Sequence, residues 1–246
     1  MKHFFSRIFL ALLLPFFSLF AHAQQASTSG PAPAVSAPAH LAPGFSALPR
    51  GAKLTMMPVD VELFLLTMGG VPEPRADWTL AARNHLTHHL RESAKSFDVR
   101  ISEADEADAD EWSEINTLHA AVASAIASHH TGMSTLRLPT KEGKLDWSLA
   151  EAVAPIREKT QADYALFVWV RDSYASDERK AAMVMMAMLG VGLIGGIQQG
   201  YASLVDLNTG QVVWFSRLIS ATGDLREREA AGKSVSSLLS GFPVPR

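Results

Sequence analysis

The sequence predicts an α/β domain built on a single mixed β-sheet of about five strands, with helices packed on it. Residues 164–170 (YALFVWV) form an apolar and aromatic run that is typical of a central strand buried on both faces. Residues 201–207 and 211–220 predict a hairpin, because Asn208-Thr209-Gly210 suits a tight turn with glycine in the left-handed position. Helical apolar stripes separate the strand-like segments, which favours a sheet with helices packed on it.

The first part of the domain is predicted to be a broken strand followed by a long helix. Residues 53–58 and 59–67 favour strand, with a bend near Pro58 because proline is poorly tolerated in a central ladder. A glycine- and proline-rich turn follows at 69–74, and a helix is expected from about Asp77, a plausible N-cap. The apolar stripe of this helix comprises Trp78, Ala82, Leu86, Leu90 and Phe97.

The remaining elements are less sharply marked. The acidic run 103–114 is expected to start a helix, since acidic side chains complement the helix dipole there. Asp146 is a candidate cap for another helix, which Pro155 weakens. The predicted elements are a short strand at 98–102, helices at about 111–128 and 147–160, and a closing helix at 226–239.

Residues 1–23 are predicted to be an export signal. A basic start precedes the apolar run 8–20, and Ala21-His22-Ala23 fits the small-x-small pattern before a cleavage site. A retained membrane anchor is the alternative, but the run is shorter than the roughly 20 residues that a spanning helix needs. Residues 24–50, rich in Pro, Ala and Ser, predict a flexible linker, which leaves 51–246 as one globular domain.

Composition excludes several classes of function. The chain has no cysteine, so thiol catalysis, thiolate metal sites, disulfides and lipid attachment through an N-terminal cysteine are excluded. The formal net charge is −3, and loss of Lys2 and Arg7 with the signal lowers it to −5. This acidic balance argues against a nucleic-acid partner. We therefore expect a periplasmic, non-lipidated protein, with association with the outer membrane left open.

Residues 181–200 (AAMVMMAMLGVGLIGGIQQG) form an apolar, glycine-rich insert between two predicted strands, where connections are normally short. Three interpretations are open: the insert covers the domain's own sheet, contacts a second copy or another envelope protein, or enters a membrane through 181–197. A contact surface is favoured by small residues four apart and by adaptable methionines. Its candidate residues are Met183, Met186, Gly192, Gly196, Gly200 and, on the neighbouring hairpin, Trp214.

The sequence offers weak candidates for chemistry. His85 and His89 are four apart on the first predicted helix, so both side chains can reach one metal, but no acidic ligand can be placed beside them. The acidic run lacks the spacing of a calcium loop. Ser134 lacks the second glycine of a nucleophile elbow. We therefore expect no cofactor and no catalytic residues.

Two blocks resemble exported envelope proteins. Residues 57–83 (MPVDVELFLLTMGGVPEPRADWTLAAR) are similar to a segment of uncharacterised exported proteobacterial proteins. The hairpin 202–217 (ASLVDLNTGQVVWFSR), with the YALFVWV strand before it, resembles envelope proteins of the type of the curli secretion channel CsgG and the N-terminal domain of TolB. The resemblance implies a small α/β fold and an envelope role in assembly or partner binding, without enzyme activity.

These observations predict a non-catalytic exported envelope protein that acts in self-assembly or in docking to an envelope complex. The alternative is a periplasmic small-molecule or metal-binding protein that uses the histidine-bearing first helix.

Overall fold

The computed structural model describes residues 40–104, 109–131 and 136–245. In these ranges the chain forms a mixed sheet and five α-helices, which confirms the predicted fold class. The strands are β1 (Lys53–Met56), β2 (Asp60–Leu66), β3 (Pro72–Pro74), β4 (Arg100–Glu103), β5 (Tyr164–Ala175), β6 (Gln198–Asp206) and β7 (Val212–Ser220). The helices are α1 (Ala76–Ala94), α2 (Ala109–His129), α3 (Ala154–Thr160), α4 (Asp177–Met188) and α5 (Arg228–Leu238).

The long strand β5 lies at the centre of the sheet. Along one edge it pairs in parallel first with β1 and then with β2, and along the other edge it pairs antiparallel with β6, which carries β7. β4 and β3 pair with the outer edges of β1 and β2. Since β1 and β2 are successive halves of one strand interrupted around Pro58, the seven segments make about five strand positions, as predicted.

Helices cover the two faces of the sheet and create two apolar clusters. Leu166, Val168 and Val170 of β5 belong to the cluster beneath α1 and α5, whereas Ala165 and Phe167 belong to the cluster beneath α2 and α3. The predicted burial of this strand on both faces is therefore confirmed.

The predicted stripe of α1 is confirmed in its helical part, but Phe97 lies beyond the end of the helix at Ala94, and the start of the helix also differs from the prediction. Ala82, Leu86 and Leu90 are buried on the helix, which begins at Ala76. Asp77 is not the N-cap; it lies in the first turn, where its carboxylate pairs with the Arg75 guanidinium at 3.1 Å.

The third predicted helix begins later than expected, and the reason is its contact with the hairpin. The Leu149 amide donates to the Gly210 carbonyl at 2.8 Å, and the Val212 amide donates to the Trp147 carbonyl at 2.9 Å. These bonds hold 147–149 beside the turn, so helical structure starts as a 3₁₀ turn at Ala150. Pro155 is accommodated in the first turn of α3, where its missing N–H is not needed.

The predicted linker does not extend to residue 50, because residues 40–50 pack on the domain. Ala42 and Leu48 are buried, the Ala42 amide donates to the Val213 carbonyl at 2.9 Å, and the Leu48 amide donates to the Pro243 carbonyl at 2.8 Å. The edge of β7 is covered here by main-chain hydrogen bonds. The predicted signal 1–23 and linker residues 24–39 lie outside the described residues.

The hairpin turn gives a direct test of the packing at its tip. Gly210 has φ 70°, and a Cβ there would overlap the carbonyl oxygen of Ala150 and lie 2.6 Å from its amide nitrogen. Gly210→Ala should therefore lose about 1–2 kcal/mol for the left-handed backbone, and more for displaced main chain. The matched control is Gly143→Ala, with φ 71° and open space around it. Equal losses for the two variants in urea unfolding would contradict this account.

Candidate functional site

The insert forms a projecting segment that we call the apolar arm, comprising α4 and the return segment 189–197. α4 starts directly after β5, with the Ser176 hydroxyl accepting the Arg179 amide at 3.2 Å as an N-cap. Four charged residues stand at the base of the arm, in the order Asp177, Glu178, Arg179 and Lys180, and the following stretch 181–200 has none. The arm is therefore charged where it leaves the sheet and apolar beyond.

The outer surface of the apolar arm is exposed. None of the twelve α4 side chains, all of which the structure describes, is buried. The exposed fractions are 58% for Val184, 69% for Met185, 81% for Met188, 76% for Leu189 and 68% for Ile194. Contiguous apolar exposure of this kind marks an interaction site on a folded protein.

The two methionines predicted as contact residues line the inside of the arm instead. Met183 and Met186 are half-buried, and a Cβ on Gly195 would lie 3.0 Å from the Met183 methyl carbon. The Met186 carbonyl accepts the amides of Leu189 and Val191 at 3.0 and 2.9 Å, which turns the chain back toward the sheet. These residues shape the arm, while Val184, Met185 and Met188 form its outer face.

The predicted glycine-lined helix face does not form, because α4 ends before the first of these glycines. Gly192 lies in the return segment with open space around it. A Cβ at Gly196 would overlap the Ser173 carbonyl oxygen, so glycine there permits the close approach of the return segment to β5. Gly200 is buried in β6 against Leu238.

Trp214 also has a different place from the one predicted for a contact residue. Its indole is fully buried in the cluster beneath α1 and α5, and Phe215 is fully buried on the opposite face. The opposite orientation of the two rings is as predicted. The Trp214 side chain is a core residue and does not contribute to the exposed surface.

Arg179 fastens the return segment to the domain. Its Nε and Nη2 donate to the Ile194 carbonyl at 3.0 and 2.8 Å, and its Nη1 donates to the Met68 carbonyl at 3.3 Å. Met68 and Val71, in the turn between β2 and β3, are themselves exposed. The apolar surface of the arm therefore continues onto this turn.

A buried polar network lies at the root of the arm, centred on Asp172. Its carboxylate accepts the Tyr174 hydroxyl at 2.6 Å, the Gln198 side-chain amide at 2.8 Å and the Ser173 main-chain amide at 2.8 Å. Burial raises the pKa of Asp172, and burial together with this carboxylate raises the pKa of Tyr174. Ser234 of α5 donates to Gln198 at 2.7 Å. The network thus joins both ends of the arm to α5.

The network borders a cavity of about 270 Å³ between the arm and the loop before α5, lined in part by Lys180, Met183, Thr222 and Arg226. The Arg226 guanidinium is held by Asp224 and stacks 4.0 Å from the Tyr174 ring centroid. The carboxylate beneath the cavity already has three hydrogen-bond donors, so these contacts account for its burial without a ligand.

His85 and His89 make packing contacts with the chain around the start of α5. His85 Nδ1 lies 3.1 Å from the Leu225 carbonyl oxygen, and His89 Nε2 lies 2.8 Å from the Arg228 carbonyl oxygen. Within 40–104, 109–131 and 136–245, no group of three or more His, Cys, Asp or Glu side chains is placed to hold a metal. Of the acidic run, Glu103 pairs with Arg91 at 2.6 Å, whereas Asp105, Glu106 and Asp108 lie outside the described residues, as does Ser134.

One serine–histidine pair has the spacing of a nucleophile and its base. His119 Nε2, on α2, lies 2.9 Å from the Ser203 hydroxyl, on β6, but both residues are buried between the helix and the sheet. Burial lowers the pKa of His119 to about 3, which keeps the imidazole neutral and a poor base. The ring also stacks on Phe167 at 4.6 Å. This geometry fits a buried structural contact between α2 and the sheet.

The sequence predicted the insert but not the hydrogen bonds that hold it in place. Arg179 donates to the main-chain carbonyls of Met68 and Ile194, and Asp172 accepts from Gln198, which is 26 residues away in the sequence. A serine followed by four charged residues, at 176–180, was the available sign of a helix start. Among the described helices, none has both the length and the apolar content for a membrane crossing.

Removing the clamp should loosen the return segment selectively. Arg179→Ala deletes three hydrogen bonds to main-chain carbonyls, so amides of 189–197 are expected to exchange with deuterium at least tenfold faster. Lys180→Ala is the matched control, because Lys180 forms an exposed pair with Asp177. Global unfolding should change little for either variant. Equal exchange of the segment in both variants would show that Arg179 does not hold it.

Comparisons with known proteins give structural likenesses alone. No protein-family model and no curated protein matches the sequence. Similar solved structures include the PelC dodecamer from Paraburkholderia phytofirmans, with 16% identity, a TM-score of 0.38 and coverage of 81% of this chain and 93% of that chain. The LpoB C-terminal domain from Salmonella enterica shares 13% identity, with a TM-score of 0.30 and coverage of 73% and 87%.

A lipoprotein from Neisseria meningitidis is similar at 13% identity and a TM-score of 0.31, with coverage of 77% of this chain and 94% of that chain. At TM-scores below 0.5 these likenesses carry no argument about what this protein does.

Proposed function

We propose that this protein is exported to the cell envelope and acts there by binding protein through the apolar arm, without catalysis. The observation that carries the proposal is the exposure of Val184, Met185, Met188 and Leu189 on an arm that the domain itself fastens in place. An exposed apolar surface costs solubility, so an ordered one of this size indicates a contact.

The chemistry of the arm favours a protein partner over a lipid surface. Helices that lie in a membrane interface are rich in Lys and Arg on the polar face and carry Trp, Phe or Leu on the apolar face. Residues 181–200 contain no charged residue and no Trp or Phe. Methionine, by contrast, is enriched at protein interfaces and adapts to irregular partners.

The metal-binding alternative has less support, because the described residues place no third His, Cys, Asp or Glu side chain with His85 and His89 to hold a metal. The Ser203–His119 pair gives no support to an enzyme, because both side chains are buried away from a substrate. Export is supported by the signal pattern in residues 1–23.

The proposal is tested by site-specific photo-cross-linking in cells that export the full chain. A photoreactive residue at Ile194 should give protein adducts that disappear when Met185 and Met188 are changed to Ser. The control position is Leu80 on α1, which is 59% exposed but distant in sequence from the arm. Absence of arm-dependent protein adducts, with the purified chain floating on phospholipid vesicles, would overturn the proposal in favour of membrane contact.

A further inference from the structure

We infer that the occupant of the apolar arm is the arm of a second copy of this chain, in a two-fold symmetric contact. This inference rests on the proposed function and names its partner. In a two-fold contact the same patch faces itself, so the patch must be complementary to its own copy.

The charge distribution of the arm satisfies that condition. Residues 181–197 carry no charge, so two arms can meet without like-charge repulsion. The four charges at the base are two acidic and two basic, which leaves the base without net charge. A surface of one sign would disfavour its own copy.

The exposed residues of α4 also have the spacing of a helix-packing stripe. Ala181, Met185 and Met188 are exposed at positions i, i+4 and i+7, with Val184 beside them. Twelve residues give α4 a length of about 18 Å. The stripe therefore covers the last two turns of the helix, beyond its charged base, and forms one face that a second helix can pack against.

The exposed area matches the share of one partner in a stable contact. With these exposed fractions, the apolar residues of α4 and the return segment present on the order of 700 Å², above the 300–600 Å² of the largest patch on a typical monomer. A standard interface takes about 800 Å² from each partner. An arm-to-arm contact, extended by Met68 and Val71, reaches that size.

The described residues offer no comparable patch elsewhere to receive the arm. Outside the arm and the adjoining turn, large exposed apolar side chains stand on separate elements or chain segments, one each: Leu80, Leu118, Leu136, Ile219 and Val244. A head-to-tail contact would need a second apolar surface of similar area. Within the described chain, the arm is therefore the surface that can pack against the same surface of a second copy.

The natural absence of cysteine makes a disulfide test specific. Met185→Cys and Met188→Cys are made singly in the full chain, and the protein purified after export is oxidised with copper phenanthroline. A residue near a two-fold axis meets its own copy, and a disulfide requires Cα atoms about 4.4–6.8 Å apart. At least one arm variant should give a covalent dimer on non-reducing gels, and Leu80→Cys should not. Adding Val184→Asp should reduce the dimer at least tenfold.

The outcomes separate this inference from the proposed function. Arm-dependent protein adducts in cells without an arm-specific disulfide would overturn the second-copy assignment and leave the docking function in place. The absence of both the arm-dependent adducts and the arm-specific disulfide would overturn the proposed function and the second-copy inference together. A disulfide at Leu80 equal to that at the arm would show collision rather than a defined contact, and would also overturn the inference.

Discussion

Trp214→Ala is expected to lower the free energy of unfolding by about 3–5 kcal/mol. The indole is fully buried in the cluster beneath α1 and α5, where its ring packs edge-on against Phe242 at 5.3 Å. The main chain at Trp214 also forms a β-bridge with Leu41, which the substitution leaves in place. Loss of the indole should leave a cavity in this cluster and remove the ring contact with Phe242.

The matched control is Trp147→Ala, which removes the same side chain from a half-buried position. Its loss should be clearly smaller, since less apolar surface leaves the core. Urea unfolding followed by far-UV circular dichroism measures both variants. A Trp214→Ala protein as stable as the parent, but defective in binding a partner, would contradict the core assignment.

Asp172→Ala is expected to cost about 3 kcal/mol near neutral pH, because Tyr174, Gln198 and Ser173 lose their acceptor together. Loss of the buried charge offsets part of this cost. The arm should loosen as well, since the network holds both of its ends. Unfolding and amide exchange of 189–197 measure the two effects. A variant with normal stability and normal exchange would show that the network neither stabilises the fold nor holds the arm.

The pH dependence of Asp172 has a definite sign. Burial raises the pKa of this carboxyl in the folded chain above its value in the unfolded chain. At a pH between these two pKa values, the folded chain therefore binds more protons than the unfolded chain. The free energy of unfolding therefore falls as pH rises through that window, and the contribution is constant above the folded value. Asp172→Asn removes this titration. The stability of the parent relative to Asp172→Asn should thus decrease from about pH 4 upward, and parallel pH profiles would contradict the assignment.

The sequence predicted the sheet well because its signals are local. The apolar run of β5, the Asn208-Thr209-Gly210 turn and the stripe of α1 each act through period or turn chemistry within a few residues. The errors arose where distant segments compete for the backbone. Residues 147–149 pair with the hairpin, and residues 40–50 pack on β7 and the C-terminal segment. The conformation of both segments is set by these distant contacts, so it could not be predicted from their own residues.

The sequence predicted which segment forms the candidate site, but not which side chains of that segment face outward. Glycines four apart indicated one helix face, whereas the Leu189 and Val191 amides end α4 on the Met186 carbonyl before the glycines begin. Which methionines point outward depends on where the return segment lies, and this is set by Arg179 and Ser173. Such long-range contacts leave no periodic signal in the sequence.

Self-association through the apolar arm can be measured by size-exclusion chromatography with light scattering, on the chain from the predicted mature residue Gln24. The parent should elute as a dimer, and Val184→Asp with Met188→Asp should give a folded monomer. A parent that stays monomeric at the highest attainable concentration, or an oligomer that the double substitution leaves unchanged, would contradict the claim.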